Sequence, residues 1–434
     1  MIAAQRLVEK VFCVLALLLY TGGIAPFISP SNPLYPVKEN FPNLAFAIAL
    51  LLIAARWQRV FKFVVREKFL WMFLGVIVLS PLWSDLSQIT IQEVLPLMRV
   101  TVFAIYFSTR YRMSEQMQIL TWVLGLAALF SLILAIALPN FGVMGRGYLS
   151  NAEDLVHPDA WRGIYIHKVV LGTLMSCSAL AFFYYVNSGR KFCRSSQIGI
   201  VLSVVVLLGS TTKAALGVLL VVLLMLPLYR MLRWNYTRLL PALIVTSLLV
   251  GGFATIIAGS LDTVLLAFGK DVTISGRTEF WPLILERIWQ RPWLGYGYST
   301  FWAGGWDGEP ASIWIYLSRG FEPPHAHNDF LDLLLSVGYV GFGLFLLSFF
   351  SVCVRAIAWL RTVKTTEGFI PIAYLTFVLL SNLTESLFVK PTFYRVFYVS
   401  ITLSMYEKVP LYSLGTRTQA IDEEEEKELL SKSF

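Results

Sequence analysis

Charge is scarce in this chain. Asp, Glu, Lys and Arg make up 14% of its 434 residues, against about a quarter in soluble domains. Apolar residues reach 57%, which excludes an ordinary water-soluble globule. Cysteine and histidine are few, with four of each. Cys13, Cys177, Cys193 and Cys353 follow no metal or redox spacing, and each lies in or beside an apolar run. They read as small apolar residues. No internal repeat is visible. No small-residue cleavage site closes the first apolar run, Val11 to Phe27, which follows Arg6, Glu9 and Lys10, so it reads as a retained helix. The net charge of +8 does not point to nucleic acid, because the basic residues sit in short loops beside apolar runs.

What is present is apolar sequence in runs of roughly 15 to 25 residues, and a run of about 18 or more reads as a transmembrane helix. The pattern predicts an all-α polytopic membrane protein of about 12 transmembrane helices. The spans fall near 11–28, 42–55, 69–83, 89–109, 117–138, 163–187, 197–209, 214–229, 239–259, 328–354, 369–387 and 391–407. Residues 1–410 then form one membrane domain, and 411–434 an acidic tail carrying the run Asp422 to Glu426. Ile198 to Tyr229 reads as two spans. As one helix it would run about 48 Å against a hydrocarbon core of about 30 Å, so a turn is expected at Ser210-Thr211-Thr212-Lys213. Five basic clusters follow alternate spans: Arg56 to Lys68, Arg110 and Arg112, Arg190 to Arg194, Arg230 to Arg238, and Arg355 to Lys364. The positive-inside rule assigns them and both termini to the cytoplasm.

One long polar interval remains, Ser260 to His327, on the opposite side. It contains SGRTEFW (Ser275 to Trp281), RPWLGYGYSTFW (Arg291 to Trp302) and the start of PPHAHNDFLDLLLSVGYVG (Pro323 to Gly341). Thr278 to Gln290 predicts an amphipathic helix at the membrane interface, with Phe280, Trp281, Ile284, Leu285 and Ile288 on one face. Arg277 at its start has two readings: a phosphate held by the planar guanidinium and nearby backbone N–H groups, or a surface charge among lipid headgroups. Gly295-Tyr296-Gly297 follows no strand and reads as a tight turn rather than a phosphate loop.

All four histidines fall outside the cytoplasm in this scheme. His325-Ala326-His327 offers two imidazoles, which suit proton transfer from a hydroxyl near neutral pH. They have a plainer reading as caps of the tenth span, although Asn328 or Asp329 can fill that role. Zinc needs a third ligand, and no Cys or further His is well placed. Metal is the weaker reading. Ionisable residues within or beside spans are costly and usually have a purpose. Glu93, Arg99, Arg162, Lys168, Lys213, Glu385, Lys390 and Arg395 are such residues, most of them near the outer leaflet. A cationic pocket there suits an anionic lipid head such as a pyrophosphate, while snorkelling accounts for Lys390 more simply.

Taken in order, WRGIYIHKVVLG (Trp161 to Gly172), LLGSTTKAALG (Leu207 to Gly217), SGRTEFW, RPWLGYGYSTFW, HAHNDFLDLLLSVGYVG and NLTES (Asn382 to Ser386) resemble the O-antigen ligase / O-antigen polymerase superfamily, including exopolysaccharide polymerases. The resemblance implies a GT-C-like helical fold in the bacterial plasma membrane, working on the periplasmic face without a cofactor or metal. It implies an undecaprenyl-diphosphate-linked oligosaccharide as donor and a glycan, lipid A-core or protein acceptor, with membrane lipids around it and no nucleic acid. It also implies His327 as catalytic base with His325 beside it, and Arg277 on the diphosphate. Lys213 has a similar role in place of the commoner Arg. Arg162 and Lys168 add charge there, and Asn328 and Glu385 support the site. Where the family has H-K-N, this chain has His167-Lys168-Val169. The His-Lys pair and the Ser-x-x-Lys turn favour polymerase over ligase. A secondary transporter is the more distant reading, since candidate residues gather at one face rather than at the midplane.

Overall fold

The computed structural model describes residues 2–23, 35–146, 157–187, 193–235, 237–239, 241, 277–303, 325–387 and 390–406. Among them the chain is helical, and its one β-bridge joins Val143 to Trp161. The helices are α1 (Ile2–Tyr20), α2 (Tyr35–Ala54), α3 (Trp57–Val64), α4 (Lys68–Leu79), α5 (Ser87–Arg110), α6 (Met113–Ala137) and α7 (Lys168–Val186). They continue with α8 (Cys193–Gly209), α9 (Lys213–Leu224), α10 (Leu226–Met231), α11 (Arg277–Gln290), α12 (Asp329–Thr362), α13 (Ile370–Asn382) and α14 (Phe393–Ser404). Among the described residues, five stretches are long and apolar enough to cross a membrane: α5, α6, α7, Lys213–Met231 and α12. Glu39–Ala54, Lys68–Leu82 and Arg194–Gly209 are shorter apolar helices. The chain is a polytopic membrane protein.

The turn expected at 210–213 is there. α8 ends at Gly209, Thr211 adopts φ +53°, and α9 starts at Lys213. Several boundaries differ from expectation. α1 begins at Ile2, so Arg6, Glu9 and Lys10 are helical, and it stops at Tyr20 before a turn through Gly22 at φ +78°. α7 starts at Lys168 rather than near 163, because the His167 side chain caps it by accepting from the Val169 N–H at 3.3 Å. The short amphipathic α3 lies between the second and third apolar helices. The span expected at 239–259 lies, from residue 242 on, outside the described residues, as does the acidic tail.

Basic clusters meet where α12 ends. The Arg233 guanidinium donates to the carbonyls of Leu360 (3.1 Å), Val363 (2.9 Å), Lys364 (3.0 Å) and Thr365 (3.0 Å), satisfying acceptors that a helix C-terminus leaves open. Arg361 Nε returns a bond to the Leu232 carbonyl at 2.8 Å. Arg355 pairs with buried Glu67 and bonds the Tyr406 hydroxyl, which itself donates to the Arg66 carbonyl at 3.2 Å. Thr366 bonds the carbonyl of Asn187 at 2.7 Å. Three of the five clusters therefore converge around residues 355–366, with the end of α7 beside them.

The tenth apolar run is not one straight helix. Gly338 sits inside α12 at φ 60°, ψ −167°, a conformation open essentially to glycine. An unbroken helix would pair the N–H groups of Tyr339 and Val340 with the carbonyls of Leu335 and Ser336. Instead, Tyr339 donates to Pro292 O (2.7 Å) and Val340 to Trp293 O (3.1 Å). The freed carbonyls of Leu335 and Ser336 accept from Tyr296 (2.8 Å) and Gly297 (3.1 Å). Residues 292–297 are thus stitched into the break.

Candidate functional site

The stitched segment turns at Gly295 (φ +67°) and Gly297 (φ +102°), the tight turn expected there. A Cβ at Gly295 would meet the Leu335 carbonyl oxygen at 2.4 Å, so only glycine lets the two backbones approach this closely. A line of hydroxyls ties the turn to the start of α5. Thr300 Oγ1 lies 2.6 Å from Thr90 Oγ1, which donates to Ser84 Oγ at 2.7 Å. Arg291 forms an ion pair with Asp85 at 2.7 Å.

α11 covers the other side. Its Ile284 and Ile288 are buried with Tyr296, Phe301, Ala326 and Leu335. The apolar face is therefore turned onto protein. Leu285, expected on that face, is 46% exposed, and Trp289 and Trp293 are 70% exposed. Arg277 is the first residue of α11; its side chain lies outside the described residues.

The histidine turn sits beneath α11 and at the head of α12. Trp281 Nε1 donates to the Ala326 carbonyl at 3.0 Å. His327 has φ +50°, rare for a non-glycine residue, and its N–H donates to His325 Nδ1 at 3.1 Å. The rings are tilted 60° to one another with centroids 4.2 Å apart. Neither imidazole caps α12. That role belongs to Asn328, whose side chain accepts from Phe330 (3.0 Å) and Leu331 (3.4 Å).

Glu385, three residues past α13, joins the imidazoles: ligating atoms of His325, His327 and Glu385 all lie within 4.8 Å of one another. Sequence spacing placed the carboxylate near the site but not with the pair. This is a donor set that zinc accepts, so the third ligand missing from the sequence reading is present. The tautomer opposes that use. With Nδ1 of His325 accepting an amide hydrogen, its neutral ring carries the proton on Nε2 and offers no lone pair there. The trio suits proton handling better than metal binding.

The cations form a second group. Trp161 N–H donates to Gly209 O at 2.9 Å, and Thr212 Oγ1 to Lys168 O at 3.2 Å, so the WRGIYIHKVVLG and LLGSTTKAALG stretches meet. Lys168 and Lys213 head the packed helices α7 and α9, close enough for their charges to interact. Two ammonium groups held together repel, and an anion between them relieves that repulsion. Arg162 is buried, with Nε donating to Phe141 O at 2.9 Å. His157 and His167 pair separately, with ring centroids 6.3 Å apart.

Sequence reasoning missed Asp332, Trp302 and Ser386. The Asp332 carboxylate accepts from Trp302 Nε1 at 2.8 Å and from the Ser386 hydroxyl. An acid inside an apolar helix was the available signal.

Residues 198–346 match the family described as O-Antigen ligase. The chain carries an O-antigen ligase family domain. That domain contains the Lys213 turn, α11, the stitched segment and the histidine turn; the WRGIYIHKVVLG and NLTES stretches lie beyond the match. The chain is also 36% identical over 96 residues to the exopolysaccharide production protein ExoQ of Rhizobium meliloti (strain 1021), across 21% of this chain. The alignment spans 21% of that relative's length. The match falls on the same family that the sequence motifs resemble.

Proposed function

We propose that this chain is a GT-C-like glycosyltransferase of about 12 spans, acting on the periplasmic face of a bacterial plasma membrane. It takes an undecaprenyl-diphosphate-linked oligosaccharide and transfers it to the hydroxyl of a growing glycan. The observation that carries this reading is the meeting of His325, His327 and Glu385 at the head of α12, under a helix that begins with Arg277. The convergence of basic segments at the far end of α12 supports a cytoplasmic placement for that end.

The acceptor oxygen attacks C1 of the donor sugar, and His327 takes its proton. The new O–C1 bond forms as the C1–O bond to diphosphate breaks. Undecaprenyl diphosphate departs with the electron pair and inverts the anomeric centre. Arg277, Lys213, Lys168 and Arg162 neutralise the leaving charge, as electrostatic stabilisation of a good leaving group requires. Glu385 stabilises the imidazolium. No step demands a metal. Dialysis of the purified protein against EDTA should therefore leave transfer unchanged, and loss of transfer restored by zinc or magnesium would count against the scheme.

The test that separates polymerase from ligase is deletion followed by glycan analysis. Single repeat units accumulating on the lipid carrier support polymerisation. Full-length polymer that fails to reach lipid A-core or protein points to ligation instead.

A further inference from the structure

Asp332 lies one turn into α12 and is buried, yet α12 does not need it, because Asn328 already caps the helix. Its bonds run outward. Oδ1 accepts from Trp302 Nε1 at 2.8 Å and from the Ala326 N–H at 3.1 Å, while Oδ2 accepts from the same N–H at 3.3 Å and from the Ser386 hydroxyl. These donors come from three separate stretches: the short turn Phe301–Ala303 beyond the stitched segment, the histidine turn and the chain after α13. Ala326 stands between His325 and His327, and Ser386 follows Glu385. One carboxylate is thus bonded to the neighbour of every member of the proton-handling trio.

The turn needs such a tie. His327 at φ +50° holds a strained backbone conformation that persists only where its surroundings fix it. Both backbone groups of Ala326 are held, the N–H by Asp332 and the carbonyl by Trp281. A buried carboxylate with several donors is well compensated and rigid. Released, it would let the imidazoles and Glu385 drift independently, since they sit on different stretches of chain.

We propose that Asp332 is a positioning residue for glycosyl transfer, holding the His325-Ala326-His327 turn against Glu385. The proposal rests on the assignment of His327 as base. It concerns turnover rather than donor binding, because the groups that Asp332 holds are Trp302, Ala326 and Ser386, none of them among the cations assigned to the diphosphate.

The test uses full-length protein in detergent or liposomes with a polyprenyl-diphosphate-linked donor. Asp332→Ala should lower kcat by about 100-fold, the penalty of misplacing a catalytic group by about an ångström, with the donor's KM within about threefold of the parent. Asp332→Asn keeps an oxygen for Trp302 and Ala326 and should recover kcat to within about tenfold, one hydrogen bond to a charged group being worth about that much. Its pH profile should shift, because the carboxylate no longer biases the imidazoles. If Asp332→Ala does not fold, Ser386→Ala removes a single donor and should lower kcat alone. A purely structural role predicts lower melting temperatures with kcat per folded molecule and pH profile unchanged, and that result overturns the proposal. Should His327→Ala keep its turnover, the base assignment fails by itself; a kcat loss in Asp332→Ala would then still tie Asp332 to Glu385.

Discussion

Replacing His327 with alanine is expected to reduce glycan transfer by about 10²- to 10⁴-fold, the range that a positioned general base contributes. The donor's KM should hardly move, since the diphosphate is assigned to Arg277, Lys213, Lys168 and Arg162, on other parts of the chain. His325→Ala should cost less. Its Nδ1 accepts the His327 N–H, so its loss loosens the turn without removing the base. Glu385→Gln should fall between the two, because it keeps the shape but withdraws the negative charge beside the imidazoles. The measurement is initial-rate transfer from a synthetic polyprenyl-diphosphate donor, with melting curves to confirm folding. Undiminished transfer by folded His327→Ala would remove the base from the mechanism.

Much of the fold was legible because lipid imposes lengths. The break between α8 and α9 followed from a run too long for one crossing, and the turn at 210–212 is where a short polar stretch allowed it. The helix Arg277–Gln290 followed from its periodicity. Its surroundings did not. Leu285 was assigned to the buried face as though a flat membrane surface covered it, whereas the actual cover is the narrower ridge of Tyr296, Phe301 and Leu335. The site shows the same division. Residue types marked His325, His327 and Glu385, since histidine is rare here and acids in apolar segments are costly. What binds them together was illegible, because the donors to Asp332 come from residues 302, 326 and 386, separations that no local pattern encodes. The break in α12 was hidden for a related reason. A lone glycine in a helix costs only about 1 kcal/mol, and the segment that fills the gap starts more than forty residues earlier.

That break yields the second large effect. Gly338→Val should destabilise the protein by about 3 kcal/mol or more, from a backbone conformation that only glycine occupies freely together with a direct clash. A Cβ at Gly338 would lie 2.4 Å from the Trp293 carbonyl carbon and oxygen, backbone atoms that cannot swing aside. The chain then has one way out. Residue 338 returns to helical angles, and the Leu335 and Ser336 carbonyls recover the N–H groups of Tyr339 and Val340. The segment 292–297 is expelled, which strands the carbonyls of Pro292 and Trp293 and the N–H groups of Tyr296 and Gly297. With it goes the cluster that seats Ile284 and Ile288 over Ala326, so α11 and its Arg277 lose their place above the histidine turn. Gly338→Val should therefore insert into the membrane yet melt early, be cleaved by protease between residues 291 and 303, and transfer no glycan. Gly343→Ala is the control on the same helix, as a Cβ there meets nothing within 4 Å, and it should behave as the parent. A Gly338→Val protein with parental melting and protease resistance would show that the break does not hold the segment, and the seating of α11 would need another cause.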